Sequence, residues 1–148
     1  TPGYNIRPLE MSGAIGSEQL KKWPLIQQTR MDNAKHFIDL FKDKPWCRIQ
    51  QTVGNSSWFT FGIVLDGVLK GRRAEIIKAL DEAGIQNRPL ASRNFLKQPV
   101  MRDLDHVVSG DMSAADDIHD NGFFVGNGSK SIIEELDLLY GTIIKFVK

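Results

Sequence analysis

Ser57-Trp58-Phe59-Thr60-Phe61-Gly62-Ile63-Val64-Leu65 is the stretch that decides the fold. Phe59, Phe61, Ile63 and Leu65 share one side of an extended chain, and Trp58 and Val64 lie on the other. Apolar residues on both sides predict a strand in a sheet covered on both faces. Just upstream, Cys47 to Val53 predicts a partner strand, with Gly54-Asn55 in the connection. Downstream, Arg72 to Ala83 predicts a short helix with Ile76, Ile77 and Leu80 inward and Gly84 as its left-handed cap. Ile85 to Leu90 reads as a short strand or extended segment, and Ser92 to Leu104 as irregular and polar. Ser113 to His119 reads as a brief helix and Phe123 to Val125 as a short buried strand. The last helix is expected from about Ser131. Ser131 and Glu134 form a capping-box pattern, and Ile132, Leu136, Leu139, Ile143 and Phe146 form an apolar stripe.

The segment before the sheet reads differently. Residues 1–8 hold two prolines and a glycine and should be extended or turning. A first helix is expected from Leu9 to Lys22. Pro24 fits the first turn of a second helix reaching about Lys42, with Ile26, Ala34, Phe37, Ile38 and Phe41 on one face. Residues 1–44 therefore read as an arm whose apolar faces need something outside residues 45–148. The expected class is α/β, of the α+β small-domain kind: two N-terminal bracing helices, then a small mixed sheet with helices packed on it.

Composition bounds the function. The 148 residues suit one domain, and 41% hydrophobic with 25% charged residues is the globular average. Nineteen basic and 18 acidic residues leave a net charge of +1, which gives no bulk field for nucleic acid or a membrane surface. No apolar run approaches the roughly 20 residues that span a bilayer. The single cysteine, Cys47, excludes an intrachain disulfide and fits a reducing compartment such as the cytoplasm. The opening Thr1-Pro2-Gly3-Tyr4 resembles neither a natural start nor a signal peptide, so a piece of a longer protein is expected.

Two motifs offer anion chemistry. In Gly3-Tyr4-Asn5-Ile6-Arg7, the amide of Asn5 and the guanidinium of Arg7 point to the same side of extended chain and suit a phosphate or carboxylate. They equally suit a turn asparagine and a surface arginine. Arg88 to Met101 gathers Arg88, Arg93 and Lys97 around Asn94 and Phe95. Such a loop either holds a diphosphate and stacks on a base or sugar, or is simply solvated and basic. Gly126-Asn127-Gly128 lacks the third glycine of a dinucleotide fingerprint and reads as a strand-to-helix turn. Asp111, Asp116, Asp117, His119 and Asp120 read as a solvated helix face, with the spacing of neither an EF-hand nor a His-x-x-x-His metal helix. The three histidines have no nucleophile near them in sequence, so no catalytic triad and no metal centre is expected.

Taken together in order, G-Y-N-I-R-P-L-E-M-S-G-A-I-G-S-E-Q-L-K-K (residues 3–22), N-R-P-L-A-S-R-N-F-L-K-Q-P (87–99) and N-G-F-F-V-G-N (121–127) resemble the pyridoxal-phosphate-dependent nucleotide-sugar enzymes. That group contains sugar aminotransferases and the 3-dehydratases of 4-keto-6-deoxysugars. The two later motifs are more similar to the dehydratase branch. The resemblance implies the C-terminal portion of a longer enzyme of deoxysugar or surface-polysaccharide synthesis. Residues 1–44 would be the crossing segment and bracing helices, and 45–148 the small C-terminal domain. It implies pyridoxal phosphate as coenzyme, held mainly by upstream polypeptide. The Schiff-base lysine, or the histidine that replaces it in one dehydratase type, would lie there too, so no catalytic residue and no turnover are expected of this chain alone.

By the same resemblance, Asn5 matches an asparagine that reaches the coenzyme phosphate of the neighbouring subunit of a homodimer, and Arg7 an arginine near that shared site, touching substrate. Arg88, Asn94 and Phe95 match the loop facing a nucleotide-diphosphate sugar, with Lys97 a further candidate. Arg93 departs from the pattern: it stands where relatives often have glycine, and arginine resists positive φ. Two alternatives accompany this reading. One is the aminotransferase branch of the same group. The other is a non-catalytic binding or assembly domain.

Overall fold

The computed structural model describes residues 9–147. Its longest element is α1 (Glu10–Phe41). The two expected N-terminal helices are one continuous helix with Pro24 inside it. Proline's fixed φ is helical, so the ring forfeits one i→i−4 bond without forcing a break. Both Leu20, whose carbonyl loses that bond, and Pro24 lie in an exposed stretch, where water replaces the missing partner.

The C-terminal half of α1 is built into the core. Asn33, Ala34, Phe37 and Phe41 are buried. Phe37 stacks on Phe41 with ring centroids 4.8 Å apart and on Phe61 at 4.5 Å. Phe41 meets Tyr140 edge-on at 5.5 Å, a favoured aromatic geometry. The N-terminal half instead exposes Leu9, Met11, Ile15, Leu20 and Leu25. The face expected to need cover from outside residues 45–148 is thus covered by them at Ala34, Phe37 and Phe41, and only the N-terminal half of the helix leaves its apolar residues exposed.

Four strands follow: β1 (Cys47–Ile49), β2 (Thr60–Leu65), β3 (Asn87–Pro89) and β4 (Gly122–Gly126). They form one sheet in the order β1-β2-β4-β3, and every pair is antiparallel. The expected sheet is therefore present, but it is antiparallel throughout rather than mixed. The reason lies in β4, which enters between β2 and β3 and runs against both. Pro89 is tolerated because β3 is an edge strand.

The register sets two faces. Phe61 opposes Val125 and Ile63 opposes Phe123, and these face the core with Leu65. α2 (Arg73–Glu82) and α4 (Ile133–Ile144) pack against each other, and α4 packs on α1. Ile76 and Leu80 of α2 and Leu136, Leu139 and Ile143 of α4 are buried there, as their periodicity predicts. The opposite face carries Gly62, Val64 and Phe124 and is covered by α3 (Ser113–Asn121).

Three local expectations fail for reasons that span the chain. The period-2 alternation stops at Thr60. Trp58 has a positive φ of 47° and turns into the core, while Phe59 is 75% exposed with the Arg30 guanidinium 5.8 Å from its ring centre. The strand expected from Cys47 to Val53 ends at Ile49. The capping box at Ser131 does not form: α4 begins one residue later, with Ile132 as its uncapped N-terminal flank, and the Ile132 N–H donates instead to Asn33 Oδ1 of α1 at 3.2 Å.

Asn33 belongs to a buried amide pair. Its Nδ2 donates to Asn127 Oδ1 at 3.0 Å and to the Lys130 carbonyl at 2.9 Å. Asn127 Nδ2 donates to the Arg30 and Trp58 carbonyls at 3.1 and 2.7 Å. Both amides thus use both donor protons and their oxygen, as a buried polar pair must. The Gly126-Asn127-Gly128 turn is structural, and it locks α1 to the β4–α4 connection.

Candidate functional site

The second sheet face continues into the loop that the sequence singles out. Arg88 sits exposed on β3, opposite Phe124 in register. Leu90 then turns onto the sheet over Gly62 and Gly122. A Cβ at Gly62 would stand 3.3 Å from Leu90 Cδ2, and one at Gly122 only 2.7 Å from Leu90 Cδ1 and 2.5 Å from the Ile118 carbonyl oxygen. The two missing side chains are the seat on which the loop is anchored.

Beyond Leu90 the chain reverses sharply. Ala91 and Arg93 take φ values of +43° and +58°, in the left-handed region that favours glycine. Arg93 therefore holds a backbone conformation that glycine adopts more readily. Asn94, only 6% exposed, then caps a turn of 3₁₀ helix at Phe95–Lys97, its Oδ1 accepting the Leu96 N–H at 3.0 Å. Gln98 Nε2 donates to the Ser92 carbonyl at 2.8 Å and closes the loop on itself. Phe95, 50% exposed, lies in the middle of this turn. Together with Pro89, Ser92, Arg93, Gln98 and Val100 it lines an open groove of about 550 Å³, within the size range of small-molecule sites.

The loop is held from α3. Asp116 Oδ1 accepts Asn94 Nδ2 at 2.8 Å and Lys97 Nζ at 2.7 Å. Lys97 also lies 3.9 Å from Asp120. Lys97 and Asn94 hold the Asp116 carboxyl below the usual carboxylate range, and the ion pair raises Lys97 in turn. The adjacent Asp117 faces the sheet side: it pairs with Arg48, with Lys70 at 3.0 Å, and accepts Asn121 Nδ2 at 2.9 Å. Lys70 chiefly, then Arg48 and Asn121, depress its carboxyl as well. Consecutive helical residues point about 100° apart, so one dipeptide grips two elements.

The six residues singled out from sequence divide into three groups. Asn5 and Arg7 lie outside the described residues. Arg88 and Phe95 are exposed on the strand and loop that border the groove. Asn94 and Lys97 are on the same loop, but their polar atoms are engaged by Asp116 and the loop backbone. The acidic cluster is only in part the solvated face expected of it: Asp111 and Asp120 are exposed, whereas Asp116 and Asp117 bind the loop and the sheet. No local pattern signals them, since their partners Lys97, Lys70 and Arg48 lie 19 or more positions away in sequence.

Other chemistry is limited. Cys47 is 5% exposed, and burial pushes its thiol up to about 12, so it is an inert core residue. Among the described residues no group of three His, Cys, Asp or Glu side chains gathers to hold a metal. No described lysine is buried; the least exposed includes Lys44, whose ammonium lies 5.7 Å from the Tyr140 ring centre. A Schiff-base lysine needs a desolvated or charge-depressed setting. No helix of the described residues is long and apolar enough to cross a membrane.

Comparison with known proteins bears out the resemblance carried by residues 3–22, 87–99 and 121–127. The chain is 45% identical over 145 residues to GDP-4-keto-6-deoxy-D-mannose 3-dehydratase of Yersinia pseudotuberculosis, covering 97% of this chain and 37% of that protein. It is 44% identical over 142 residues to the protein of the same name from Escherichia coli O55:H7, covering 93% and 36%. The solved E. coli GDP-4-keto-6-deoxy-D-mannose-3-dehydratase with bound hydrated PLP superposes with a TM-score of 0.88 at 43% identity, over 96% of this chain and 37% of that one. The chain thus spans little more than a third of the length of these relatives. Residues 1–136 match the DegT/DnrJ/EryC1/StrS aminotransferase family, and to that family the chain belongs.

Proposed function

We propose that this chain is the C-terminal part of a pyridoxal-phosphate-dependent enzyme that removes the C3 hydroxyl of a nucleotide-linked 4-keto-6-deoxysugar, for deoxysugar or surface-polysaccharide synthesis. The observation that carries this reading is the identity of 44–45% along nearly the whole chain to two 3-dehydratases of GDP-4-keto-6-deoxy-D-mannose. The coenzyme supplies the electron sink for such chemistry. Its covalent anchor falls to polypeptide outside the described residues.

This chain's own part is recognition. Phe95 and Arg93 line the groove and Arg88 is exposed on the strand that leads into it; guanidinium groups together with an aromatic ring suit a diphosphate joined to a base or sugar. Asn94 and Lys97 shape that loop rather than contact the sugar. Asn5 grips the coenzyme phosphate of the second subunit in a homodimer, and Arg7 lies near the same shared site. Near-zero net charge suits recognition by a few placed charges and argues against a nucleic-acid partner. A cytoplasmic location agrees with the reduced, buried Cys47.

The test uses the longer gene product that contains these residues. It is supplied with pyridoxal phosphate, glutamate and the GDP-linked 4-keto-6-deoxysugar, and the sugar is read by mass spectrometry. A keto sugar without its C3 oxygen is the expected product. A sugar that has gained an amine and kept that oxygen assigns the aminotransferase branch instead, and an unchanged sugar with no bound coenzyme removes the enzymatic reading.

A further inference from the structure

The loop from Ala91 to Gln98 is irregular, carries two left-handed non-glycine residues and includes no strand hydrogen bonds. Such a segment keeps one shape only if something outside it fixes the shape. Its internal bonds, Asn94 to Leu96 and Gln98 to Ser92, close the turn but do not place it. Placement comes from two outside anchors. Leu90 is seated on the glycine pair at one end. At the other, a single carboxylate oxygen of Asp116 receives both Asn94 and Lys97, the two residues that flank the Phe95-Leu96 dipeptide.

The support behind that oxygen is itself fastened. Asp117, next in sequence, ties α3 to Arg48 of β1 and to Lys70 after β2. Asn121 at the end of α3 accepts the Gly71 N–H at 2.7 Å while donating to Asp117. Helix α3 is therefore a bracket, with Asp117 fastened to the sheet and Asp116 to the loop.

We propose that Asp116 is a positioning residue: by engaging Asn94 and Lys97 together it fixes where Phe95 and Arg93 stand along the groove. It touches no substrate itself. The role deepens the proposed function and rests on it in one respect, that the groove takes a nucleotide-linked sugar. Charge matters to this grip as well as geometry. Asp116→Asn keeps an oxygen for the Asn94 amide and loses the attraction for Lys97, whereas Asp116→Ala loses both.

Hydrogen exchange and steady-state kinetics on the longer gene product separate the possibilities. Asp116→Ala is expected to speed amide exchange across residues 91–98 while leaving β2, β4 and α4 protected. It should raise KM for the GDP-linked sugar about tenfold with kcat nearly unchanged, because a loop no longer held in place must be ordered on binding, which weakens ground-state and transition-state binding alike. Asp116→Asn should fall between wild type and alanine. Lys97→Met, at an exposed position that burdens folding least, should match Asp116→Asn. Unchanged exchange over 91–98 in Asp116→Ala overturns the proposal, as does faster exchange spread evenly over the whole domain. Faster exchange confined to the loop with an unchanged KM upholds Asp116 in its role and removes the groove from the sugar site.

Discussion

Leu90 Cδ1 occupies the space where a side chain on Gly122 would begin: a Cβ there would stand 2.7 Å from it and 2.5 Å from the backbone oxygen of Ile118. One clash could be relieved by rotating a leucine; the other is with a helix carbonyl that cannot move without shifting α3. Gly122→Ala should therefore destabilise the domain by about 1–3 kcal/mol, the range for overpacking. Gly62→Ala, whose Cβ would meet only the flexible end of Leu90 at 3.3 Å, should lose clearly less. Denaturant midpoints of the two variants at constant slope check the order.

Arg93 holds a backbone shape at odds with its side chain. Left-handed φ costs a non-glycine residue about 1–2 kcal/mol, of which glycine's greater unfolded-state freedom returns about half. Comparing Arg93→Gly with Arg93→Ala removes the guanidinium from both and isolates the backbone. Glycine should be the more stable by about 1 kcal/mol, read as a higher melting temperature. Equal stability would mean that the loop leaves the left-handed region without loss.

The buried pair Asn33–Asn127 joins residues 94 positions apart. Asn127→Ala would leave the Trp58 carbonyl and one Asn33 proton without partners and would strip the Arg30 carbonyl, which keeps its helical bond, of its second donor, at a loss of about 3 kcal/mol. Asn127→Asp should be worse, because it turns a carboxylate oxygen toward two carbonyl oxygens. Urea unfolding gives the order wild type, alanine, aspartate, and an aspartate variant as stable as wild type would contradict the assigned network.

These cases show what was legible in the sequence. Where burial follows period, the pattern is sufficient: Phe61, Ile63 and Leu65, then Ile76 and Leu80, then Leu136, Leu139 and Ile143 are core residues as their spacing says. Where a distant partner decides, local pattern fails. Ser131 has the right neighbours for a cap, yet the helix begins only after Ile132, whose N–H is held by Asn33 from α1. Trp58 and Phe59 exchange sides because Trp58 leaves the strand to reach Phe37 and Phe61. The site was half legible for the same reason. Its loop announces itself by composition, with Arg88, Arg93 and Phe95 within eight residues. Its support does not, since Asp116 becomes a strut only when the fold brings α3 beneath residues 94–97.

Because Asp116 and Asp117 both carry depressed carboxyl pKa values, the bracket should fail in acid before the core does. A folded-state pKa below the unfolded one means that the unfolded chain binds more protons, so stability rises with pH in that interval. The contribution is complete above the ordinary aspartate range near 3.9 and is lost as pH falls below it through the folded values. Lys97 and Asn94 face Asp116 across the loop, with His119 and Asp120 on its own helix; Lys70, Arg48 and Asn121 surround Asp117. The cations stay charged throughout, so the direction is set by the carboxylates. Asp117→Asn should lower stability at neutral pH and flatten its fall between about pH 5 and pH 2. Asp116→Asn should do the same chiefly for exchange protection of residues 91–98, since that carboxylate holds the loop and not the sheet. A wild-type stability that does not change across that interval would contradict both ion-pair assignments.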